Sequence, residues 1–407
     1  MKYIVLVGDG MGDFPLKGLS GRTPLEVATT PGMDFLVQHG EIGLVQTVPH
    51  GMPPGSDVAN LSLLGYPPEE KYTGRGPIEA ASLRIPMRPE DVAFRCNLVT
   101  IKKVNNELIM EDYSAGHIST EEARILIEDL NRELSNEKLE LFCGKSYRHI
   151  LLWRGGPEGL RTFPPHDLIG KSIYHAWMAY KVEPILREFL SRAIKILEKH
   201  PVNQKRIKEN RPPANALWPW GQGRMPLLEP FSEKWGLSGA VVAAVDLIKG
   251  LGVLAGLEIM EVEGATGYLD TNYEGKALTA IEALKENDFV FLHVEAPDEA
   301  SHQGSIDLKI KAIQDFDRYV VRTVLEEAAA RFKEYRIMVV TDHLTPIPMR
   351  THSSKPVPFA IFDSRDGEIK REEGFSERVA RASGVFIPDG QTLMSRFLQR
   401  EPRIPRE

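Results

Sequence analysis

The chain has 407 residues, of which 42% are hydrophobic and 26% charged, as expected for a globular protein long enough for two domains. Its formal net charge of −7 and its scattered Lys and Arg residues argue against a nucleic-acid or membrane-binding surface. Cys96 and Cys143 lie far apart without metal-type spacing, which favours a reducing compartment.

The N-terminal segment MKYIVLVGDG breaks its apolar run at Gly8, too early for a signal peptide. No apolar run approaches the roughly 20 residues of a membrane span. We therefore expect a cytoplasmic protein that acts on a small molecule, with no nucleic-acid or membrane partner. A monomer and a small homo-oligomer are both open.

The first predicted element is a buried strand, YIVLV at residues 3–7, which ends in the glycine-rich segment GDGMGD. Runs of the same form begin at Asp288 (DFVFLHVEAPDE) and at Arg336 (RIMVVTDHLTP). Between them, SIDLKIKAIQDFDRYVVRTVLEEAAARF repeats apolar residues at helical spacing. A strand, a long helix and a strand form a βαβ unit, so the sequence predicts an α/β fold with a mostly parallel sheet flanked by helices. SGAVVAAVDLIKGLG and EGKALTAIEALKEN predict two further covering helices.

The middle of the chain has a different pattern. DVAFRCNLVTIKKVNNELIMEDY predicts a hairpin that turns at Asn105-Asn106, and KLELFCG and YRHILLWRG predict two short strands. STEEARILIEDLNREL predicts a helix with a capping box from Ser119 to Glu122. We therefore expect an inserted α+β domain at residues 85–200, within a core formed by 1–84 and 201–407. PILREFLSRAIKILEKH predicts the helix that leads out of the insert, and PVNQKRIKENRPPAN predicts the return linker.

The stretch PPGSDVANLSLLGY places Ser56 behind two prolines and a glycine, at the start of a helix-like run. The ordinary structural role of such a serine is to cap the helix N-terminus. A helix N-terminus also favours anions, because its first backbone N–H groups are free. This stretch alone leaves both interpretations open.

Metal-ligating residue types follow each of the three predicted strands. Because the carboxyl ends of parallel strands share one edge of a sheet, we expect these side chains to meet there. They are too many for one ion, and mixed carboxylate and imidazole ligands favour a pair of divalent ions, Mn²⁺ or Zn²⁺, with Mg²⁺ or Co²⁺ also possible. Two such ions beside a serine at a helix N-terminus are typical of phosphoryl transfer through a phosphorylated serine. The predicted ligands are Asp9, Ser56, Asp298, His302, Asp342, His343 and His352.

Several segments together resemble the cofactor-independent phosphoglycerate mutases, in particular their archaeal-type branch, which belongs to the alkaline phosphatase superfamily. These segments are VLVGDGMGD, PPGSDVANLSLLGY, YTGRGPIEAAS, PDEASHQG, TDHLTP and THSSKPVPF. The similarity runs nearly end to end and includes DYSAGHIS and WPWGQG. The resemblance implies an alkaline-phosphatase-like core, with the inserted domain as a mobile substrate-binding lid.

The resemblance also implies interconversion of 3-phosphoglycerate and 2-phosphoglycerate in glycolysis and gluconeogenesis, with Ser56 as the nucleophile and without 2,3-bisphosphoglycerate. It implies that one ion is held by Asp9, Ser56, Asp342 and His343, and the other by Asp298, His302 and His352. Substrate contacts are expected from Asn60, Arg75 and Arg224, with Arg95, His117 and Lys276 as further candidates.

Two other activities are open on the same core. A metal-dependent phosphatase would release inorganic phosphate, and a phosphotransferase such as a homoserine kinase-like enzyme would consume a nucleoside triphosphate. The longer mutases carry an arginine-rich substrate motif that this sequence lacks, and WPWGQGR occupies the comparable region. Against a kinase, the sequence has no P-loop and no glycine-rich kinase loop. A sulfatase is not expected, because no C-x-P-x-R segment surrounds Ser56.

Overall fold

The computed structural model describes residues 1–105, 107–366 and 372–398. The strands of these residues are β1 (Lys2–Gly8), β2 (Glu41–Val45), β3 (Val92–Val104), β4 (Glu107–Asp112), β5 (Leu139–Phe142), β6 (Arg148–Trp153), β7 (Ala216–Gly223), β8 (Gly239–Val242), β9 (Glu258–Met260), β10 (Phe289–Val294), β11 (Tyr335–Val340), β12 (Val357–Asp363) and β13 (Phe386–Ile387). Short 3₁₀ turns lie at Lys17–Leu19 and Pro165–Leu168, and a π-helical turn lies at Asp317–Val321.

The α-helices of the described residues are α1 (Pro24–Val27), α2 (Pro31–Gln38), α3 (Ser56–Leu63), α4 (Pro68–Lys71), α5 (Arg75–Ser82), α6 (Thr120–Leu134), α7 (Tyr174–Tyr180), α8 (Pro184–Lys199), α9 (Pro201–Lys208), α10 (Phe231–Trp235), α11 (Asp246–Leu254), α12 (Tyr273–Ala283), α13 (Ala296–His302), α14 (Ile306–Phe316), α15 (Arg322–Arg331), α16 (Glu377–Ala382) and α17 (Gly390–Leu398). Within the described ranges, none of these helices combines the length and apolar character needed to cross a membrane.

The chain divides into two compact units, Met1–Tyr72 with Leu227–Glu407, and Thr73–Pro226. The second unit therefore extends beyond the predicted limits of 85–200 at both ends. Its additional strand β7 pairs with β3, and its additional helix α5 packs tightly on the same strand. A Cβ added at Gly76 of α5 would lie only 2.4 Å from the carbonyl oxygen of Ala93, so this contact requires glycine. These contacts join residues that are far apart in the sequence. Local sequence patterns therefore do not predict where the second unit begins and ends.

The first unit is built on a sheet whose described strands run in the order β13-β2-β12-β11-β1-β10-β8-β9. The three strands predicted from their buried runs, β1, β10 and β11, are neighbours, and β1 pairs in parallel with both of the others. Strand β12 runs antiparallel to β11 and β2, and the remaining pairings are parallel. The predicted α/β fold with a mostly parallel sheet is therefore confirmed, and the carboxyl ends of β1, β10 and β11 share one edge.

One predicted covering helix begins later than expected. The segment SGAVVAAVDLIKGLG opens with strand β8, which is fully buried and pairs in parallel with β10, and only its second half forms helix α11. A short apolar run is compatible with either a buried strand or a helix. Here the first half of the segment forms a strand because β10 is available to pair with it. EGKALTAIEALKEN forms helix α12 as predicted.

The predicted long helix between β10 and β11 is interrupted by the π-helical turn, which separates α14 from α15. Asp317 begins this turn, and its carboxylate accepts hydrogen bonds from the backbone N–H groups of Gly32 (3.0 Å) and Met33 (2.6 Å). These amides belong to the first turn of α2, where they have no partner within the helix. The π-helical turn therefore ties α2 to the helices that cover the sheet.

The second unit contains an antiparallel sheet in which β3 pairs with β4, β6 and β7, and β5 pairs with β6. The predicted hairpin is confirmed as β3 and β4, while Asn106 of its turn lies outside the described residues. The predicted short strands are confirmed as β5 and β6. Ser119 caps α6 by accepting from the Glu122 N–H (3.2 Å), but the Glu122 carboxylate binds Arg206 and Arg211 instead of closing the capping box.

The predicted return linker is partly helical, since PVNQKRIK forms α9. His200 caps this helix by accepting from the backbone N–H of Val202 (3.2 Å). Buried Asn203 then donates to the carbonyl groups of Leu197 and Ala214, both at 2.8 Å. These tertiary hydrogen bonds explain why a polar segment with weak apolar periodicity forms a helix.

Candidate active site

The predicted ligands of the first unit converge at the carboxyl edge of its sheet. Asp9 directly follows β1, Asp298 lies on α13 just after β10, and Asp342 and His343 follow β11. His352 is brought back to this edge by a local bridge, in which the N–H of Ser353 donates to the carbonyl of Leu344 (2.9 Å). The topology therefore assembles these side chains from segments more than 300 residues apart in the sequence.

Ser56 is the first residue of α3, and the N-cap position is taken by Gly55. The Ser56 hydroxyl makes no capping bond; its Oγ lies 3.1 Å from Nε2 of His343 and 3.5 Å from Oδ2 of Asp9. The N-cap interpretation of Ser56 is therefore wrong. A Cβ at Gly55 would come within 2.6 Å of Oδ1 of Asp57, the oxygen that accepts from the Val58 N–H (3.0 Å).

One group of possible ligands consists of Asp9, Asp342 and His343, whose ligand atoms lie within 4.8 Å of one another. Nε2 of His343 is 3.6 Å from Oδ1 of Asp9 and 3.4 Å from Oδ2 of Asp342. Asp342 is oriented by hydrogen bonds to its Oδ1 from the backbone N–H groups of Gly10 (3.1 Å) and His343 (2.8 Å). All three ligand side chains are buried.

The second group contains Asp298, His302 and His352. Nε2 of His302 lies 3.0 Å from Oδ2 of Asp298 and 3.0 Å from Nε2 of His352, and Nε2 of His352 lies 3.6 Å from Oδ1 of Asp298. The two groups adjoin, since ligand atoms of Asp298, His343 and His352 also lie within 4.8 Å of one another. The spacing of Asp298 and His302 on one helix face is as predicted.

The electrostatics of the two groups differ. Burial raises the pKa of Asp9, and the Asp342 and Asp298 carboxylates raise it further. Burial disfavours the charged form of Asp298 as well, but hydrogen bonds from His302 and His352 outweigh it and hold the Asp298 pKa well below its usual value. Burial lowers the pKa of His343 to about 4, so this imidazole is neutral. Among the described residues, the imidazoles nearest to Asp9, those of His343 and His293, both have lowered pKa values, so the repulsion between Asp9 and its neighbouring carboxylates is not balanced by either ring.

These residues fit a pair of divalent cations. Oδ1 of Asp9 is buried and accepts no hydrogen bond from the described residues, and it faces the neutral imidazole of His343. Leaving a buried carboxylate oxygen without a partner is costly, and a bound cation relieves both that cost and the repulsion among carboxylates. The mixture of carboxylate and imidazole donors suits transition metals such as Mn²⁺ and Zn²⁺.

Sequence reasoning missed His293, which lies inside β10 and is fully buried. Its Nε2 is 3.2 Å from Oδ2 of Asp9, and burial lowers its pKa to about 4. Neither ring nitrogen has a hydrogen-bond partner among the described residues. The available signal was a histidine within the otherwise apolar strand FVFLHV, where a polar side chain needs a reason to be buried.

Asn60 and Lys276 are the predicted substrate-binding residues of the first unit. The Asn60 amide donates to the carbonyl of Ser56 (2.8 Å) and to Oδ2 of Asp342 (2.9 Å), so both of its hydrogens are engaged within the site. Lys276 is buried, and its ammonium donates to the carbonyl of His293 (3.2 Å). Burial lowers the Lys276 pKa to about 8. A direct substrate contact of either residue stays a prediction.

Arg75 and Arg95 lie together in the second unit. Both bind Oε1 of Glu79, at 2.8 and 2.7 Å, and both guanidinium groups lie over the ring of Trp220. Burial alone would raise the pKa of Glu79, but Arg95 and Arg75 outweigh it and hold that pKa below its ordinary value. Two arginines share the Glu79 carboxylate. Arg95 is buried with it, and the side chain of Arg75 is 32% exposed, so Arg75 is the guanidinium of this pair that reaches solvent.

The other two predicted substrate residues are more exposed. Arg224 pairs with Glu158 (3.2 Å), and each side chain is nearly half exposed. His117 has a positive φ of 48° and packs edge-on against the rings of Tyr113 and Tyr147. Arg224 therefore lies in a surface ion pair, and His117 packs among aromatic rings. Substrate contacts of these two residues stay predictions.

The buried Glu79–Arg95 pair gives a stability prediction. We expect Glu79→Gln to lower the free energy of unfolding by about 3–5 kcal/mol, because it leaves the Arg95 cation buried without a counter-ion. Urea denaturation checks this value. A matched control is Glu111→Gln, which breaks the exposed ion pair with Lys102 in the same unit and should change stability far less. Equal losses in both variants would contradict the role given to Glu79.

Comparisons with known proteins identify relatives of this chain. The family model described as 2,3-bisphosphoglycerate-independent phosphoglycerate mutase matches residues 37–203. The chain is 51% identical to the protein of that name from Methanosarcina barkeri, covering 97% of this chain and 98% of that protein. It is 48% identical to the probable mutase of the same kind from Geobacter sulfurreducens, covering 98% of this chain and all of the relative.

A solved structure from Pyrococcus horikoshii matches with a TM-score of 0.82 and 33% identity, covering all of this chain and 99% of the other. The resemblance inferred from the sequence motifs is thus confirmed over nearly the whole length. The chain belongs to the family of 2,3-bisphosphoglycerate-independent phosphoglycerate mutases.

Proposed function

We propose that this protein interconverts 3-phosphoglycerate and 2-phosphoglycerate by transient transfer of the phosphoryl group to Ser56, without 2,3-bisphosphoglycerate. The observation that supports this most directly is the position of the Ser56 hydroxyl, which faces His343 and Asp9 and makes no capping bond to its helix. A serine oxygen among converging carboxylates and imidazoles is suited to nucleophilic attack on a phosphate ester. The expected setting is glycolysis and gluconeogenesis in the cytoplasm.

The chemistry proceeds in two displacements. Oγ of Ser56 gives up its proton and forms a bond to phosphorus, while the bond from phosphorus to the C3 oxygen of the substrate breaks and that oxygen takes up a proton. The C2 hydroxyl of the same glycerate then gives up its proton and bonds to phosphorus, while the bond to Ser56 breaks and Oγ regains a proton. The free enzyme is restored, and no water or second phosphoryl donor is consumed.

The Asn60 side chain and the start of helix α3 prepare Ser56 for this role. Asn60 holds the carbonyl of Ser56 and a carboxylate oxygen of Asp342 at once, which fixes the first turn of α3 against the ligand groups. Ser56 is the first residue of α3, and the positive end of the helix dipole at that position favours a phosphate. The first turn of α3 thus fixes the position of the nucleophile and favours binding of the phosphate that it attacks.

Divalent metal would be held by Asp9, Ser56, Asp342 and His343 in one site and by Asp298, His302 and His352 in the other. When bound, such ions lower the pKa of a serine hydroxyl and neutralise charge on the phosphoryl oxygens. We propose Mn²⁺ as the native metal on the basis of the mixed oxygen and nitrogen donors, with Zn²⁺, Co²⁺ and Mg²⁺ as the alternatives.

We further propose that the second unit is the substrate-binding domain predicted from the sequence. Arg75 and Arg95 are its best candidates for binding an anionic group of the substrate, because both are supported by Glu79 and Trp220. Arginine can bind a carboxylate or a phosphate through two parallel hydrogen bonds, which orients the ligand as well as attracting it.

The test is incubation of the protein with 3-phosphoglycerate and Mn²⁺, followed by phosphorus NMR. We expect 2-phosphoglycerate to accumulate without added 2,3-bisphosphoglycerate and without free phosphate. Stoichiometric release of free phosphate would instead identify a phosphatase. If neither product forms, homoserine with a nucleoside triphosphate is the next pair to test, and turnover of that pair would contradict the mutase.

A further inference from the structure

Thr345 lies between the two ligand groups and is fully buried. Its Oγ1 is 2.6 Å from Oδ1 of Asp298, which belongs to the second group, and 3.1 Å from Nδ1 of His343, which belongs to the first. Nothing in its sequence context distinguishes this threonine, since TDHLTP marks only the adjacent aspartate and histidine as ligands. The Thr345 hydroxyl therefore links a predicted ligand of one group to a predicted ligand of the other.

The protons of this chain of contacts can be assigned from hydrogen-bond chemistry. A carboxylate oxygen only accepts, so the single hydroxyl proton of Thr345 is given to Asp298. Oγ1 is then left with lone pairs, and Nδ1 of His343 must carry the proton that it shares with this oxygen. A neutral imidazole has one N–H, so Nε2 of His343 keeps its lone pair and directs it towards Oγ of Ser56 at 3.1 Å.

We propose that Thr345 is a positioning residue that fixes His343 as its Nδ1–H tautomer, and so presents Nε2 as a ready ligand and acceptor on the side of Ser56. This inference rests on the proposed function in one respect: the metal ion that Nε2 of His343 would bind belongs to that proposal. The hydrogen bonds that fix the tautomer join protein side chains to one another and include no metal. Second-shell groups of this kind set the orientation and basicity of metal-binding histidines.

The backbone of Thr345 is held in place from both sides. Its N–H donates to the carbonyl of Gly12 (3.2 Å), in the loop that follows β1. Its carbonyl accepts from the ammonium of Lys309 (3.0 Å), which is fully buried and also binds Asp13 (3.0 Å). Because these contacts do not involve the hydroxyl, the side chain of Thr345 can be altered while its backbone stays anchored.

The decisive variants either remove or retain the hydroxyl. Thr345→Val removes it at nearly constant volume, Thr345→Ala removes it without any risk of overpacking, and Thr345→Ser retains it. Thr341→Val is the matched control, because Thr341 is a buried threonine of the same loop. Within the described part of the chain its hydroxyl bonds to two backbone groups, the Met11 N–H and the His343 carbonyl, and to no side chain.

Two readouts separate this inference from the proposed function. In metal-free protein labelled at its histidines, nitrogen NMR reports which ring nitrogen of His343 carries the proton, with His343→Gln providing the assignment. Calorimetric titration with Mn²⁺ reports metal affinity. We expect the Val and Ala variants to lose the Nδ1–H signal of His343 and to bind Mn²⁺ about 10–100-fold more weakly, while the Ser variant stays within about threefold of the parent protein.

The inference is overturned if His343 keeps its Nδ1–H signal in the Val or Ala variant, or if Thr341→Val loses as much metal affinity as Thr345→Val. Should Thr345→Val fail to fold, the Ala variant decides alone. Should the parent protein bind no Mn²⁺, the two-metal proposal fails, and the NMR readout still decides whether Thr345 sets the tautomer.

Discussion

Ser56→Ala is expected to slow the interconversion of the two phosphoglycerates by at least about 10⁴-fold, because it removes the only atom proposed to carry the phosphoryl group. The fold should be retained, since the substitution removes one half-buried hydroxyl that does not cap its helix. Isomer formation followed by phosphorus NMR measures the rate, and circular dichroism confirms the fold.

The matched control for this variant is Ser62→Ala. Ser62 lies on the same helix, but its hydroxyl accepts from the backbone N–H of Gly390 (3.1 Å), away from the ligand groups. Its loss should affect stability and leave turnover close to that of the parent protein. Substantial turnover in Ser56→Ala would rule out a phosphoryl group carried on this serine.

His352→Ala is expected to remove one of two bound metal ions and to reduce turnover by at least about 100-fold. The imidazole of His352 lies 3.0 Å from that of His302 and 3.6 Å from the Asp298 carboxylate, so the second ligand group cannot be complete without it. Metal content by mass spectrometry, together with calorimetric titration with Mn²⁺, measures the loss.

His175→Ala serves as the control, because His175 is exposed in the second unit and is not a predicted ligand. It should bind as much metal as the parent protein. Two ions bound by His352→Ala with unchanged affinity would show that His352 is not a ligand, whatever its effect on rate.

The sequence predicts the three central strands well because each is a buried apolar run with a glycine or a charged residue at its end or within the next two positions. Since parallel strands share an edge, Asp9, Asp298 and Asp342 could be placed together from their positions after these strands. His352 lies nine residues after His343, and the sequence does not show that the Leu344–Ser353 bridge brings it back to the site.

What the sequence did not predict depends on contacts between distant residues. Strand β8 and helix α9 owe their conformations to partners elsewhere in the fold. The boundary of the second unit follows from the pairing of β7 with β3, more than 100 residues away. His293 left one local signal, a histidine inside an apolar strand, whereas the local context of Thr345 left none, and only the assembled site gives either residue a role.

Locating the phosphoryl group during turnover tests the phosphoserine mechanism directly. The protein is mixed with Mn²⁺ and 3-phosphoglycerate carrying a radiolabelled phosphate, quenched in acid within a fraction of a turnover, and digested for peptide mapping. We predict label on the peptide that contains Ser56, on that serine, and none in Ser56→Ala. Label on another residue, or isomer formation with no labelled protein at any quench time, would contradict the phosphoserine mechanism.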